Sequence, residues 1–127
     1  MKKKDIENLE DIQLMVDTFY GKVQEDELLQ GIFNGIIRDK WEQHLEKMYR
    51  FWQTVLLKEH SYYGAPFAPH ATMPIDAKHF ERWEQLFSET IDAHFEGEKA
   101  DEAKWRAGKM AELFLSKIEY YKNQKND

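Results

Sequence analysis

The sequence predicts an all-α domain, and three observations support this. Apolar residues recur at intervals of three and four in several long stretches, the spacing that is typical of amphipathic helices. No strand-like alternation of apolar and polar residues continues for more than a few positions. The chain has 127 residues, enough for one domain with its own hydrophobic core. We therefore expect residues 1–127 to form a single domain, ordered from about residue 9 to residue 121.

The first amphipathic stretch runs to about Gln24, and Asn8 is placed to cap its start. Its apolar positions are Leu9, Ile12, Val16, Phe19, Tyr20 and Val23. Tyr20 falls on this face, so its hydroxyl must find a hydrogen-bond partner. That partner is either a backbone carbonyl of the core or a group in a polar pocket.

Residues 25–37 contain a short turn of helix and a cluster of apolar residues around Phe33, which we expect in the core. Gly31 and Gly35 predict a bend here and not a long helix, because glycine weakens a helix interior.

A second long helix is predicted from about Asp39 to Lys58. Its wide apolar face contains Trp41, His44, Leu45, Met48, Phe51, Trp52 and Val55. Burying the imidazole of His44 there is costly unless it has a partner or a water-filled pocket. Lys47 flanks the face, either as a solvated lysine or reaching an anionic group at a pocket mouth.

The segment from Gly64 to His70 contains Pro66 and Pro69, which rule out a helix and restrict the residues before them. His70 therefore lies on a short, rigid segment between two long helical patterns, a position that suits a fixed ligand. The alternative is a loop histidine without a task, which is common.

The third helix is predicted to begin after Pro74 with Asp76 as its N-cap and to end at Gly97. One face of it carries Phe80, Trp83, Phe87, Ile91 and His94. Asp101 is predicted to cap a fourth helix, whose apolar positions are Ala103, Ala107, Met110, Phe114, Ile118 and Tyr121. We expect the polar tail from Lys122 to be frayed.

Composition and motifs exclude several classes of function. The net charge of −6 argues against a nucleic-acid surface, which needs clustered basic residues. The absence of cysteine excludes a thiol nucleophile, a disulfide scaffold and any thiolate-ligated metal. No apolar run is long enough for a signal peptide or a membrane span, so we expect a cytoplasmic protein with no membrane partner. Phosphate-loop, dinucleotide-binding and His-Glu-x-x-His motifs are missing.

The order of the aromatic and histidine residues resembles the truncated haemoglobins, and among them the bacterial group III, or P-type, branch. The residues that carry the resemblance are Phe19-Tyr20, Phe33, His44, Trp52, the pattern Gly64-x-Pro66-x-x-x-His70, and Trp83. The likeness extends from about residue 9 to residue 121. The chain also lacks the Gly-Gly pairs that other truncated branches carry at two helix junctions.

This resemblance implies a globin-like 2-over-2 helical sandwich that encloses a b-type haem. It implies that His70 is the proximal iron ligand, that Tyr20 and Trp83 are distal hydrogen-bond donors, and that His44 is a distal gate. Phe33 would pack on the haem face and Lys47 would pair with a propionate. Met48, Phe51 and Trp52 complete the expected haem-binding set.

The function so implied is the binding of dioxygen, carbon monoxide and nitric oxide, with slow release because two neutral donors meet one small ligand. Two alternatives stay open. One is an enzyme that oxidises nitric oxide or turns over peroxide with the help of a separate reductase. The other is a haem-free helical interaction module whose histidines are incidental.

Overall fold

The computed structural model describes residues 3–58 and 76–125 of the chain. These residues form five helices and their connections, without a strand in the described part. The helices are α1 (Leu9–Glu25), α2 (Gln30–Ile37), α3 (Trp41–Leu57), α4 (Ala77–His94) and α5 (Glu98–Lys125). The predicted all-α fold class is confirmed. None of the helices in the described ranges combines the length and the apolar character that crossing a membrane requires.

Two predicted helix starts are confirmed in atomic detail. The side chain of Asn8 accepts a hydrogen bond from the backbone N–H of Asp11 at 3.0 Å, which caps α1. Asp76 caps α4, and the side chain of His79 accepts from the backbone N–H of Asp76 at 3.1 Å, so the two residues form a reciprocal capping box.

The predicted bend at the glycines of residues 25–37 is wrong, because Gly31 and Gly35 both lie inside α2. The helix is nevertheless short. It ends at Arg38, whose φ of 55° and ψ of −121° take the backbone out of the helical region. Packing of Leu28, Leu29 and Phe33 on the core offsets the low helix propensity of the two glycines.

The predicted boundaries of the last helix are also wrong. Helix α5 begins at Glu98 and not after Asp101, and it continues to Lys125, beyond the expected start of fraying. The early start of α5 is caused by a residue that is distant in the chain. The carboxylate of Asp5 accepts hydrogen bonds from the backbone N–H groups of Lys99 and Ala100, both at 2.9 Å, and so caps α5 from a distance.

Gly97 lies in the connection between α4 and α5 with a φ of 140°, a conformation that favours glycine. A Cβ atom at this position would stand only 2.6 Å from Cγ of Asp5. The residue therefore permits both the turn and the close approach of the capping carboxylate. Next to Asp5, Ile6 is fully buried, so the segment before α1 belongs to the core.

The helices pack as two pairs, α1 with α3 and α4 with α5, which meet where α1 contacts α4. Helix α5 approaches α4 closely because it presents small residues: Ala100, Ala103, Ala107 and Ala111 are buried. A Cβ atom at Gly108 would lie 2.6 Å from Oε1 of Glu84 on α4. Lys99 also donates to the carbonyl of Leu56 at 2.7 Å, which ties α5 to the end of α3.

Candidate functional site

The candidate site is built around Tyr20, which lies on α1 and is 6% exposed. Its ring has edge-to-face contacts with the rings of Phe33 on α2, at 6.3 Å, and His44 on α3, at 5.0 Å. Burial raises the pKa of Tyr20 far above its usual range, so the phenol keeps its proton. No group in the described ranges forms a hydrogen bond with its hydroxyl. Tyr20 is thus a buried residue whose phenol can act as a hydrogen-bond donor.

The imidazole of His44 is turned towards the protein and not towards solvent. Its ring lies perpendicular to those of Tyr20 and Trp41, with centroid distances of 5.0 and 5.9 Å, and its Nε2 atom is buried. The side chain as a whole is half-buried. The sequence left its direction open, and the fold brings it into contact with Tyr20. We call the connected rings the aromatic cluster; they are Phe19, Tyr20, Phe33, Trp41, His44 and Trp83.

Trp83 on α4 is joined to Tyr20 through a shared neighbour. The ring of Phe19 lies 4.9 Å from that of Tyr20 and 5.5 Å from that of Trp83, edge-to-face in both contacts. Trp83 also stacks on Phe87 at 5.8 Å with the planes 8° apart. The indole is therefore held by aromatic contacts on two sides.

The remaining described candidates lie along α2 and α3. Trp52 is buried and stacks on Phe87, with the centroids 5.1 Å apart. Phe33, Met48 and Phe51 are half-buried and pack against the core, while Lys47 is exposed. Trp52 thus lies inside the core, Phe33, Met48 and Phe51 lie at its edge, and Lys47 lies outside it.

The predicted iron ligand His70, with Gly64 and Pro66, lies outside the described residues. Among the other histidines, His79 has a structural task, since its Nδ1 atom accepts the backbone hydrogen bond that completes the α4 capping box.

A hydrogen bond between side chains keeps α1 and α3 in register beside the cluster. The hydroxyl of Tyr49 donates to the carboxylate of Asp17. Burial, followed by this hydrogen bond and the carboxylate charge, raises the pKa of Tyr49 to about 12. Both residues are close in the chain to cluster positions, so the contact fixes the distance between the helices that carry Tyr20 and His44.

A second anchor joins the end of α1 to α4. Asp26 is 8% exposed and accepts a hydrogen bond from Nε of Arg82 at 2.6 Å, while its other oxygen accepts from the N–H groups of Leu28 and Leu29. Burial alone would raise the pKa of Asp26, but Arg82 and the two N–H groups outweigh it and lower the pKa. An open cleft of about 560 Å³ lies over this pair, away from the aromatic cluster. Because Arg82 precedes Trp83, the pair also fixes that part of α4.

Sequence reasoning did not assign a site role to Trp41, Phe19 or Phe87, although all three connect the candidates. Trp41, for example, was assigned only to the apolar face of its predicted helix. Helical spacing shows that such a residue is buried, but it does not show which rings it touches across helices.

Comparison with known proteins agrees with this arrangement. A family model described as "Bacterial-like globin" matches residues 5–115. The chain is 32% identical over 118 residues to "Group 3 truncated hemoglobin ctb" of Campylobacter jejuni, a match that covers 90% of this chain and 93% of that protein. A solved structure, a group III truncated hemoglobin from Campylobacter jejuni, matches with a TM-score of 0.82 and 33% identity over 93% of this chain and 95% of that one. The chain therefore belongs to the bacterial-like globins, among the group III truncated haemoglobins, and is a haem-binding globin.

Proposed function

We infer that the protein holds a b-type haem and binds dioxygen and other diatomic ligands, releasing dioxygen slowly. The observation that carries this proposal is the ring contact at 5.0 Å between the buried, protonated Tyr20 and His44. A protonated phenol can donate a hydrogen bond to a small ligand with partial negative charge.

The residues present fit a haem. A flat apolar group needs aromatic and thioether side chains beside it, and Phe33 on α2 with Met48, Phe51 and Trp52 on α3 would supply them. Lys47 is exposed on the same helix, as a partner for a propionate must be. The chain has no cysteine for a thioether attachment, which supports a b-type haem.

In this proposal His70 would hold the haem iron, because imidazole is a common protein ligand of haem iron. When bound, the haem supplies the iron at which a diatomic ligand is taken up. The chain itself would supply the surroundings: Tyr20 and Trp83 would donate hydrogen bonds to the ligand, and the ring of His44 is in contact with that of Tyr20. Each neutral donor contributes about 1 kcal/mol, so two of them slow ligand escape. Slow release suits chemistry on bound ligand or scavenging more than delivery.

Two further features complete the proposal. The absence of cysteine fits a reducing compartment, which supports a cytoplasmic location. The ferrous state would be restored by a separate reductase, because the chain carries no dinucleotide-binding motif of its own.

The test is haem incorporation by His70→Ala, compared with wild type and with His79→Gln. Glutamine at the third helical position keeps the capping-box function, so the control removes an imidazole without removing the cap of α4. We expect a Soret band from wild type and from His79→Gln, and loss of stable haem from His70→Ala unless free imidazole is supplied.

Two results would contradict the proposal. Wild-type haem occupancy and ferrous spectrum in His70→Ala would remove His70 as the ligand. A wild-type protein that stays colourless when haem is supplied would leave the haem-free module as the better account.

A further inference from the structure

The indole of Trp41 occupies a position that the function proposed above does not use. Trp41 is the first residue of α3 and follows the connection in which Arg38 has a φ of 55°. It lies three residues before His44, so both side chains project from the same side of the helix, one turn apart. Its half-buried ring is therefore placed to influence the imidazole.

Asn34 on α2 anchors this indole. Nε1 of Trp41 donates a hydrogen bond to Oδ1 of Asn34 at 3.2 Å, across seven residues. An indole N–H only donates, so the amide must present its oxygen and not its nitrogen. The backbone carbonyl of Asn34 also accepts from the N–H of Arg38 at 2.9 Å. One residue thus closes the end of α2 and orients the first side chain of α3.

The anchored indole is in contact with the two polar rings of the aromatic cluster, Tyr20 and His44. Its centroid lies 5.9 Å from that of Tyr20, with the planes 63° apart, and 5.9 Å from that of His44, with the planes 89° apart. Since His44 and Tyr20 also meet at 5.0 Å, the three rings contact one another in pairs. A change in the indole orientation must change the space that the imidazole occupies.

We propose that Trp41, held by Asn34, is a positioning residue that keeps the imidazole of His44 against Tyr20 in the distal pocket. One directional hydrogen bond and two edge-to-face contacts restrict the conformations of this half-buried indole. Without the anchor, the indole rotates and the imidazole gains a second position. This inference rests on the proposed function, because it assumes that His44 faces the ligand.

The experiment uses the haem-loaded ferrous protein with carbon monoxide as the probe. The infrared C–O stretching band reports which donors face the ligand, and flash photolysis gives the association rate. The variants are Asn34→Ala, which removes the acceptor, and Trp41→Phe, which removes the N–H but keeps a ring. Asn34→Asp keeps an acceptor oxygen and tests rescue. Gln30→Ala, an exposed amide on the same helix, is the control.

We expect Asn34→Ala and Trp41→Phe to redistribute the C–O band towards that of His44→Leu and to change the association rate about two- to tenfold, the range of one neutral hydrogen bond. Asn34→Asp should restore the wild-type band, and the double variant should resemble either single variant. Suppose that His44→Leu shifts the C–O band but Asn34→Ala and Trp41→Phe keep the wild-type band. This result would overturn the positioning role of Trp41 and leave the placement of His44 intact. An unshifted band in His44→Leu would overturn the placement of His44 and this inference with it.

Discussion

The rings of Tyr20 and His44 meet edge-to-face at 5.0 Å, with an angle of 89° between their planes. The two residues come from different helices, α1 and α3, whose spacing is fixed nearby by the hydrogen bond between Tyr49 and Asp17. The proposed distal donor and an ionisable ring are thereby in contact. In the proposed function, movement of the imidazole would change both the access of the ligand and the polarity around it.

The first prediction is that His44 gates ligand access in a pH-dependent way. A charged imidazole is poorly tolerated among apolar rings, so acid should favour a solvated, outward position. We expect carbon monoxide to rebind faster as pH falls from about 8 to about 5, across the usual range of imidazole titration. His44→Leu should remove this dependence and leave haem binding intact. Flash photolysis of both proteins across this pH range is the measurement, and matching profiles would refute the gate.

The second prediction concerns Tyr20 and Trp83, the two proposed distal donors. Phe19 lies between Tyr20 and Trp83, with centroid distances of 4.9 and 5.5 Å, so the two donors belong to one packed unit. We expect Tyr20→Phe and Trp83→Phe each to raise the dissociation rate of dioxygen about fivefold, the worth of one hydrogen bond. The double variant should differ from the product of the single effects, because both donors serve one ligand.

Stopped-flow ligand replacement measures these dissociation rates. Trp105→Phe is the matched control, since Trp105 is 61% exposed on α5 and remote from the cluster. It should leave the rate unchanged. Unaltered rates in both Tyr20→Phe and Trp83→Phe would show that neither side chain faces the ligand.

Helical periodicity predicted the fold because the period is a local property of the chain. The faces around Tyr20, His44 and Trp83 were recognised from spacing alone, and the local caps at Asn8 and Asp76 followed from residue type. The buried position of Tyr20 is likewise a consequence of its place on an apolar stripe.

Contacts between residues distant in the chain could not be predicted in this way. Asp5 caps α5 across 94 and 95 residues, and no local pattern near Asp101 indicates that the helix has already begun. The pairing of Asp26 with Arg82 spans 56 residues. Such partners are chosen by packing of whole helices, which single-sequence patterns do not encode.

The third prediction tests the remote cap of α5. Burial alone would raise the pKa of Asp5, but the N–H groups of Lys99, Ile6 and Ala100 outweigh it and lower the pKa. The carboxylate therefore stabilises the fold above its ordinary pKa of about 4 and loses this effect as pH falls through the lower folded value. We expect Asp5→Ala to reduce the free energy of unfolding by about 1–2 kcal/mol at neutral pH.

Urea unfolding at neutral and acid pH measures this difference, which should shrink in acid because the wild type then loses the same charge. Asp101→Ala is the control. Asp101 is in the first turn of α5 and its side chain is 80% exposed, so its loss should change stability by less than about 0.5 kcal/mol. Equal losses from the two variants would show that Asp5 is not the cap.

The last prediction concerns Gly97 and its neighbour. Because φ is 140° and an added Cβ would stand 2.6 Å from Cγ of Asp5, Gly97→Ala should reduce the free energy of unfolding by about 1–3 kcal/mol. Gly21→Ala is the matched control, because Gly21 lies inside α1 with nothing within 4 Å of an added Cβ, and it should gain about 0.5–1 kcal/mol. Since the clash is with Asp5 itself, Gly97→Ala combined with Asp5→Ala should cost less than the sum of the two. Urea unfolding of Gly97→Ala, Gly21→Ala, Asp5→Ala and the double variant measures these free energies. If the losses from Gly97→Ala and Asp5→Ala simply add in the double variant, the strain comes from the backbone conformation alone and not from the contact with Asp5.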